Sequence, residues 1–306
     1  MPDAMVAASI GTGPRSSGRP VSASEARTFC HTIARLATGS LYAELVLYPK
    51  PGLVSLIDNG SHDDMTADTF MRSLFSLRHY FASITKAGLQ NASFDTLKQL
   101  GIAAEHTMLG ATGGINTHRG AIFCMGMLCA AMGRCHALGA DMTPQTIRDC
   151  LLRHWGVALS QHTASPSDRS HGQQVAARHM VSGAREEIAQ GLPAVFEVAL
   201  PILQRTLAAG RTLECAQIDA LFGLMAYIND TNIYHRGGIA GARTVSACAH
   251  NFLNKGGTAD AYWRRTALAC HRHFVRLKLS PGGAADLLAA TRFVHQVTST
   301  SFATHE

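Results

Sequence analysis

The sequence predicts an all-α protein: a single compact multi-helix domain over residues 23 to 300, behind a flexible N-terminal tail of residues 1 to 22. Three observations carry this expectation. Apolar residues recur at spacings of three and four, the stripe of one helix face, and sustain no period-two alternation of the kind a half-buried strand shows. Stops bearing Gly or Pro, "KAG", "GLP", "AAG" and "KGG", fall between the periodic segments, where helices close. No shift in composition marks an internal boundary.

In chain order, the tail "MPDAMVAASIGTGPRSSGRP" is rich in Gly, Ser and Pro and lacks the basic and apolar regions of a signal peptide. A continuous helical pattern then runs from Ser24 to about Leu47. Phe70, Leu74, Leu77, Phe81 and Ile84 form the stripe of an amphipathic helix. Further helices are expected at about 95–109, 119–138, 144–160, 172–190, 194–209, 214–228, 239–254, 259–277 and 283–296. The longest apolar runs, such as "AIFCMGMLCAAMG", fall short of a membrane-spanning helix, so the expectation is a soluble, cytoplasmic protein.

The chain of 306 residues can bury a large core, and its charged share of 16% does not favour disorder. Its net charge of +6, with sixteen His residues that can add more near pH 6, suits an anionic ligand. Nucleic acid is not selected, because Lys and Arg form no dense stripe and no nucleic-acid-binding signature occurs. The eight cysteines are scattered without a C-x-x-C pair and read as free thiols in a reducing compartment. Phosphate-loop, dinucleotide-fold, zincin and serine-hydrolase motifs are all absent.

Chemistry gathers between the helices. In "YPKPGLVSLIDNGSHDDM", Pro49 and Pro51 bracket Lys50 in extended backbone, and the loop presents Lys50, Asp58, Asn59, His62, Asp63 and Asp64. "GGINTHRG" places Asn116, His118 and Arg119 at a helix start, which suits either phosphate binding or a capped helix with a core His. "DTNIYHRGG" repeats that set with Asp230, Asn232, His235, Arg236, Gly237 and Gly238, one residue wider between Asn and His. His171 and Gly172 stand at another expected helix start, and Glu186 and Glu187 at its far end, where carboxylates fit the helix dipole badly; a metal, a basic partner or solvent could each explain them. "LKLSPGGAADLLAA" opens the last helix through Ser280, with Asp286 in its first turns, where an acid suits the dipole.

The blocks "PKPGLV", "NGSHDDM", "GGINTHRGAIF", "DTNIYHRGG" and "LSPGGAADLLA", in this order over residues 44 to 290, resemble the triphosphoribosyl-dephospho-CoA synthase family. The resemblance implies a helical enzyme that joins ATP to 3′-dephospho-CoA and releases adenine. Its product would be the prosthetic-group precursor for the acyl carrier subunit of malonate decarboxylase or citrate lyase, with a lean toward the former. Asn229 precedes Asp230 where the family often shows a second Asp, and its carbonyl oxygen could still bind a metal.

Under this resemblance Lys50, Arg119 and Arg236 would hold phosphate oxygens, and Asn116 and Asn232 would orient ribose or phosphate. Gly237, Gly238 and Ser280 complete the substrate-binding set. Asp64, Glu186 and Asp230 would bind Mg²⁺; Asp58 and Asp286 compete for the catalytic base; His62, His118 and His235 would act as acids for adenine or as orienting donors. Two rivals stay open: a Mg²⁺-dependent ADP-ribosyl hydrolase, which the "DTN" segment faintly suggests, and a non-catalytic nucleotide-binding protein. A homodimer is left open too.

Overall fold

The computed structural model describes residues 22 to 164 and 184 to 300, and among them there is no strand. Helix α1, Ala23–Val46, starts at a capping box: Ser22 Oγ accepts the Glu25 N–H at 3.2 Å, and Glu25 accepts the Ser22 N–H at 2.7 Å. Its buried stripe runs Ile33, Ala37, Leu41, Leu45, and one acid, Glu44, shares that face. The stripe from Phe70 to Ile84 belongs to two helices, α2 (Ala67–Ser76) and α3 (Arg78–Leu89), which meet at Leu77. Side-chain spacing survives a one-residue break in backbone bonding, and the buried Leu77 keeps both halves on the core.

After α4 (Phe94–Thr112), Gly113 takes the left-handed conformation at φ 69° and turns the chain into α5, Arg119–Ala137. Then follow α6 (Pro144–Ala164) and α7 (Ala184–Ala189). The expected helix 172–190 is seen only as α7; its start, with His171 and Gly172, lies outside the described residues. The expected helix 194–209 opens as a π-helix, Ala194–Ala199, before α8, Leu200–Ala208. Pro201 lacks the N–H that α-helical bonding would direct back to residue 197, so the wider turn falls just ahead of it. The chain ends in α9 (Leu213–Tyr227), α10 (Thr231–Asn254), a 3₁₀ turn at Gly257–Ala259, α11 (Trp263–Arg276) and α12 (Gly282–Thr298).

Helix α5 is the axis of the core, with α1, α3, α4, α6, α7 and α12 packed on it. From Ala121 to Cys135 every residue except Phe123 and Arg134 is buried. By length and composition α5 could cross a membrane, which the shorter apolar run did not suggest; the fold buries most of it instead. It crosses α3 backbone to backbone, since a Cβ at Gly88 would strike the Ala130 carbonyl and one at Gly133 the Thr85 carbonyl. Gly133→Val should therefore destabilise the protein by about 3 kcal/mol or more, because backbone cannot yield as a side chain does. Urea unfolding checks this, and a loss below about 1 kcal/mol would show the crossing to be loose.

This packing brings the N-termini of α5, α10 and α12 together, with the loop 47–66 folded over them. Asp230 and Asp286 tie the three helix starts to one another.

Candidate active site

Asp230 is buried and caps two helices at once. Its Oδ1 accepts the Asn232 N–H of α10 at 2.9 Å, and its Oδ2 accepts the Ala284 N–H of α12 at 3.2 Å. A Cβ at Gly283 would stand 3.0 Å from Oδ2, so glycine there admits the carboxylate. Burial pushes the Asp230 pKa up, and the amides of Asn232, Ala284 and Gly283 pull it back. Asp230, expected as a Mg²⁺ ligand, thus has each oxygen engaged by a backbone amide and joins the starts of two helices.

Asp286 lies one turn further along α12, against the start of α5. Ala121 donates its N–H to the carboxyl group, and Gly120 leaves the space it fills. Its pKa is raised well above the carboxylate range, first by burial and then by the neighbouring Glu44 and Asp230 carboxylates. The protonated form, a hydrogen-bond donor, is thereby favoured.

Lys50 departs from the open-loop placement expected of it. Residues 49 to 55 turn inward, and Lys50 is 1% exposed, its Nζ 2.5 Å from Glu44 Oε1. Burial lowers the Lys50 pKa, while Glu44 and then Asp58 oppose that shift. Glu44 is the main site residue that motif reading missed. Its signal was present as the one carboxylate on the apolar stripe of α1, between Leu41 and Leu45.

His118, at the start of α5, is also buried. Thr117 Oγ1 donates to Ser73 Oγ at 2.7 Å, and Ser73 Oγ lies 2.6 Å from His118 Nδ1. The other ring nitrogen, Nε2, is buried and has no hydrogen-bond partner among the described residues. Burial, and then Lys50, lower the His118 pKa to about 3. The native state therefore takes up this proton less readily than the unfolded chain, and the stability so gained is whole above pH 6.5 and lost as pH falls toward 3. Between pH 7 and 4.5 the wild type should lose about 2 to 3 kcal/mol more than His118→Asn, at about 1.36 kcal/mol per unit. Parallel denaturant titrations at the two pH values test this; equal losses would mean that the imidazole is solvated.

The two His-Arg-Gly segments are not equivalent in space. Arg119 pairs with Glu105 of α4, and Asn116 Oδ1 accepts the Arg119 N–H at 3.2 Å, so Asn116 caps α5. Arg236 instead reaches across to the loops. Its Nη1 donates to the carbonyls of Ser61 (3.2 Å) and Lys278 (3.3 Å), and its Nη2 lies 3.1 Å from His62 Nδ1. A guanidinium only donates, so His62 Nδ1 accepts and Nε2 carries the proton, facing Ser280 Oγ at 2.8 Å. Burial, and then Arg236, lower the His62 pKa to about 4.

Gly238, at φ 57° and ψ −155°, breaks α10, and its first turns present Asn232, His235 and Arg236 as a short arm. Gly237 packs beside Leu279, and the Asn232 amide beside Gly282. His235 is exposed. Asp58 accepts the Gly60 N–H at 2.9 Å, lies 3.3 Å from His271 Nε2, and hydrogen-bonds the Tyr48 hydroxyl. His271, another residue missed in sequence, faces the Lys50 carbonyl at 3.0 Å.

The expected metal set is not assembled. Among the described residues no three or more His, Cys, Asp or Glu form a group that could hold a metal. Asp64 is 64% exposed beside His62, and Glu186 is partly buried in α7. The arrangement is a buried acid and base cluster, Glu44, Lys50, His118, Asp230 and Asp286, beneath an outer chain of Arg236, His62 and Ser280. It offers a buried carboxyl group with a raised pKa at a helix start and a guanidinium at the rim.

Residues 30–303 match the CitG family, described as ATP:dephospho-CoA triphosphoribosyl transferase. A "Probable 2-(5''-triphosphoribosyl)-3'-dephosphocoenzyme-A synthase" of Acinetobacter calcoaceticus is 39% identical over 262 residues, 86% of this chain and 89% of the relative. A "2-(5''-triphosphoribosyl)-3'-dephosphocoenzyme-A synthase" of Pectobacterium atrosepticum is 38% identical over 260 residues, 82% of this chain and 84% of the relative. A Vibrio cholerae protein with the former name is 34% identical over 287 residues, 90% of this chain and 92% of the relative. No solved structure matches the chain.

Proposed function

Since the chain belongs to the ATP:dephospho-CoA triphosphoribosyl transferase family and is a transferase, we propose that it moves the triphosphoribosyl group of ATP onto the ribose hydroxyl of 3′-dephospho-CoA. The C–N bond to adenine breaks, a C–O bond to the acceptor forms, and the triphosphate stays on the transferred ribose. The acceptor oxygen loses a proton and adenine gains one. The product serves as the prosthetic-group precursor for the acyl carrier subunit of malonate decarboxylase or citrate lyase, the first being our preferred reading.

One observation supports this most: a carboxyl group, Asp286, is buried at the start of α5, where burial and then Glu44 and Asp230 raise its pKa well above the carboxylate range. A retained proton suits delivery to the departing adenine, so Asp286 takes the part of acid and leaves that of base to Asp58. His62 and His118, both kept neutral, orient. Arg236 and the arm of α10 would receive phosphate oxygens. Among the described residues no group fits a Mg²⁺ ion held by protein alone, so Mg²⁺ belongs here to the triphosphate it accompanies, keeping several of its waters.

The test is chromatography of free adenine and the mass of the CoA product, with ATP, Mg²⁺ and 3′-dephospho-CoA. Adenine released only with the acceptor, alongside a triphosphoribosyl adduct, supports the transfer. Adenine without acceptor would make the protein a hydrolase, and none from a folded, ATP-binding sample would leave only binding. In the same assay Arg236→Ala should raise KM by roughly tenfold to a hundredfold, the range for losing charge-assisted bonds to phosphate. An unchanged KM would remove Arg236 from the phosphate site.

A further inference from the structure

Two pairs of thiols lie outside the active site. Cys135 of α5 and Cys150 of α6 line one cavity, and Cys248 of α10 and Cys270 of α11 line another. Their surroundings differ. Cys135 and Cys150 are both buried beside a cavity of 130 Å³. Cys248 is only partly buried, and it lines with Cys270 a groove of 770 Å³ between α10 and α11.

The groove is cationic for a reason visible in the sequence. Neither Thr231–Asn254 nor Trp263–Arg276 contains an Asp or Glu. Lys255, Arg265 and His273 line it, and neither Lys255 nor Arg265 enters a salt bridge among the described residues. Its one acid, Asp260, is engaged by the Tyr262 N–H at 2.8 Å.

We propose that Cys248 and Cys270 form a thiol–disulfide exchange site for small anionic disulfides, with Cys248 attacking and Cys270 resolving. Cys248 Sγ attacks one sulfur of R–S–S–R, that bond breaks, and R–S⁻ leaves and takes up the proton lost by Cys248. Cys270 Sγ then attacks Cys248 Sγ and expels the second R–S⁻, which takes the Cys270 proton. One disulfide is reduced to two R–SH while the two protein thiols are oxidised to one bond. Access sets the order, since Cys248 faces the groove and Cys270 is 6% exposed beneath it. The neighbouring Cys270 thiol also pulls the Cys248 pKa below the ordinary thiol value and so favours its thiolate. The new bond would join α10, which carries Arg236, to α11, which leads into Ser280.

The experiment treats the reduced full-length protein with oxidised glutathione, an anionic disulfide, and reads intact mass and a peptide map. The expected product is a Cys248–Cys270 bond, with Cys135 and Cys150 still reduced. Cys270→Ser should accumulate one glutathione on Cys248, and Cys248→Ser should leave Cys270 reduced. With rates normalised to free cysteine, uncharged 2-hydroxyethyl disulfide should react about tenfold more slowly, and Lys255→Glu with Arg265→Glu should erase that preference. Circular dichroism checks that each variant is folded, and the wild-type map decides if one is not. A wild-type map with Cys248 reduced overturns the site. Equal normalised rates for the two disulfides overturn its preference for anions.

Discussion

Replacing Asp286 by Asn lowers the rate constant for adenine release by a factor of about 10² to 10⁴, the contribution of a positioned proton donor, and leaves the fold at least as stable as the wild type. Asn keeps the size of the carboxyl and can still accept the Ala121 N–H, but it has no proton to surrender. Stability should not fall, because a carboxyl raised by burial, Glu44 and Asp230 costs the native state free energy once pH exceeds its unfolded pKa. The linkage has a definite sign: stability from holding this proton is present at low pH and is lost as pH rises through the raised folded pKa. The measurements are the single-turnover rate of adenine release and the urea midpoint. Near-normal turnover would remove Asp286 from the chemistry, and a collapsed midpoint would make it structural.

The second large effect is on folding. Glu44→Ala should cost about 3 to 5 kcal/mol, because it leaves the Lys50 ammonium buried without its partner. Both side chains are almost wholly out of solvent, so screening gives little relief. Glu44→Leu combined with Lys50→Met should regain most of that loss, since two apolar groups of similar volume need no counter-charge. Urea unfolding of the single and double variants gives the coupling between the two sites. A single-variant loss near zero would show that water reaches the pair.

Sequence reading captured the helical class because helical spacing is local, and its motifs placed several candidate site residues at helix starts. Apolar segments of helical length announced α1, α4, α5 and α9, and Gly-bearing turns marked where chemistry would gather. What escaped it depends on partners outside each motif. Lys50 reads as a loop cation until Glu44, six residues earlier, is seen to turn it inward. Asp230 reads as part of one helix start until Gly283 and Ala284, more than fifty residues later, are seen to bring the amides of a second helix to it. The matched His-Arg-Gly segments suggested equivalent donors, yet Glu105 holds Arg119 while the loop carbonyls hold Arg236. His62 was visible as a motif residue, but its neutrality arises from burial and from an Arg far along the chain.

The contact between Arg236 and His62 has a consequence for the sign of whatever reaches the rim. Because the guanidinium forces Nδ1 to accept, the hydrogen bonds run one way, from Arg236 through His62 to Ser280. Ser280 Oγ spends a lone pair on the imidazole and keeps its own proton for the next acceptor. The chain thus has a polarity, like a row of arrows, and its tip offers hydrogen to an incoming oxygen rather than seeking it. A phosphate or ribose oxygen continues the row, whereas an ammonium or amide N–H at the same point meets a donor head-on. Charge selection at this edge is therefore written into the orientation of one ring.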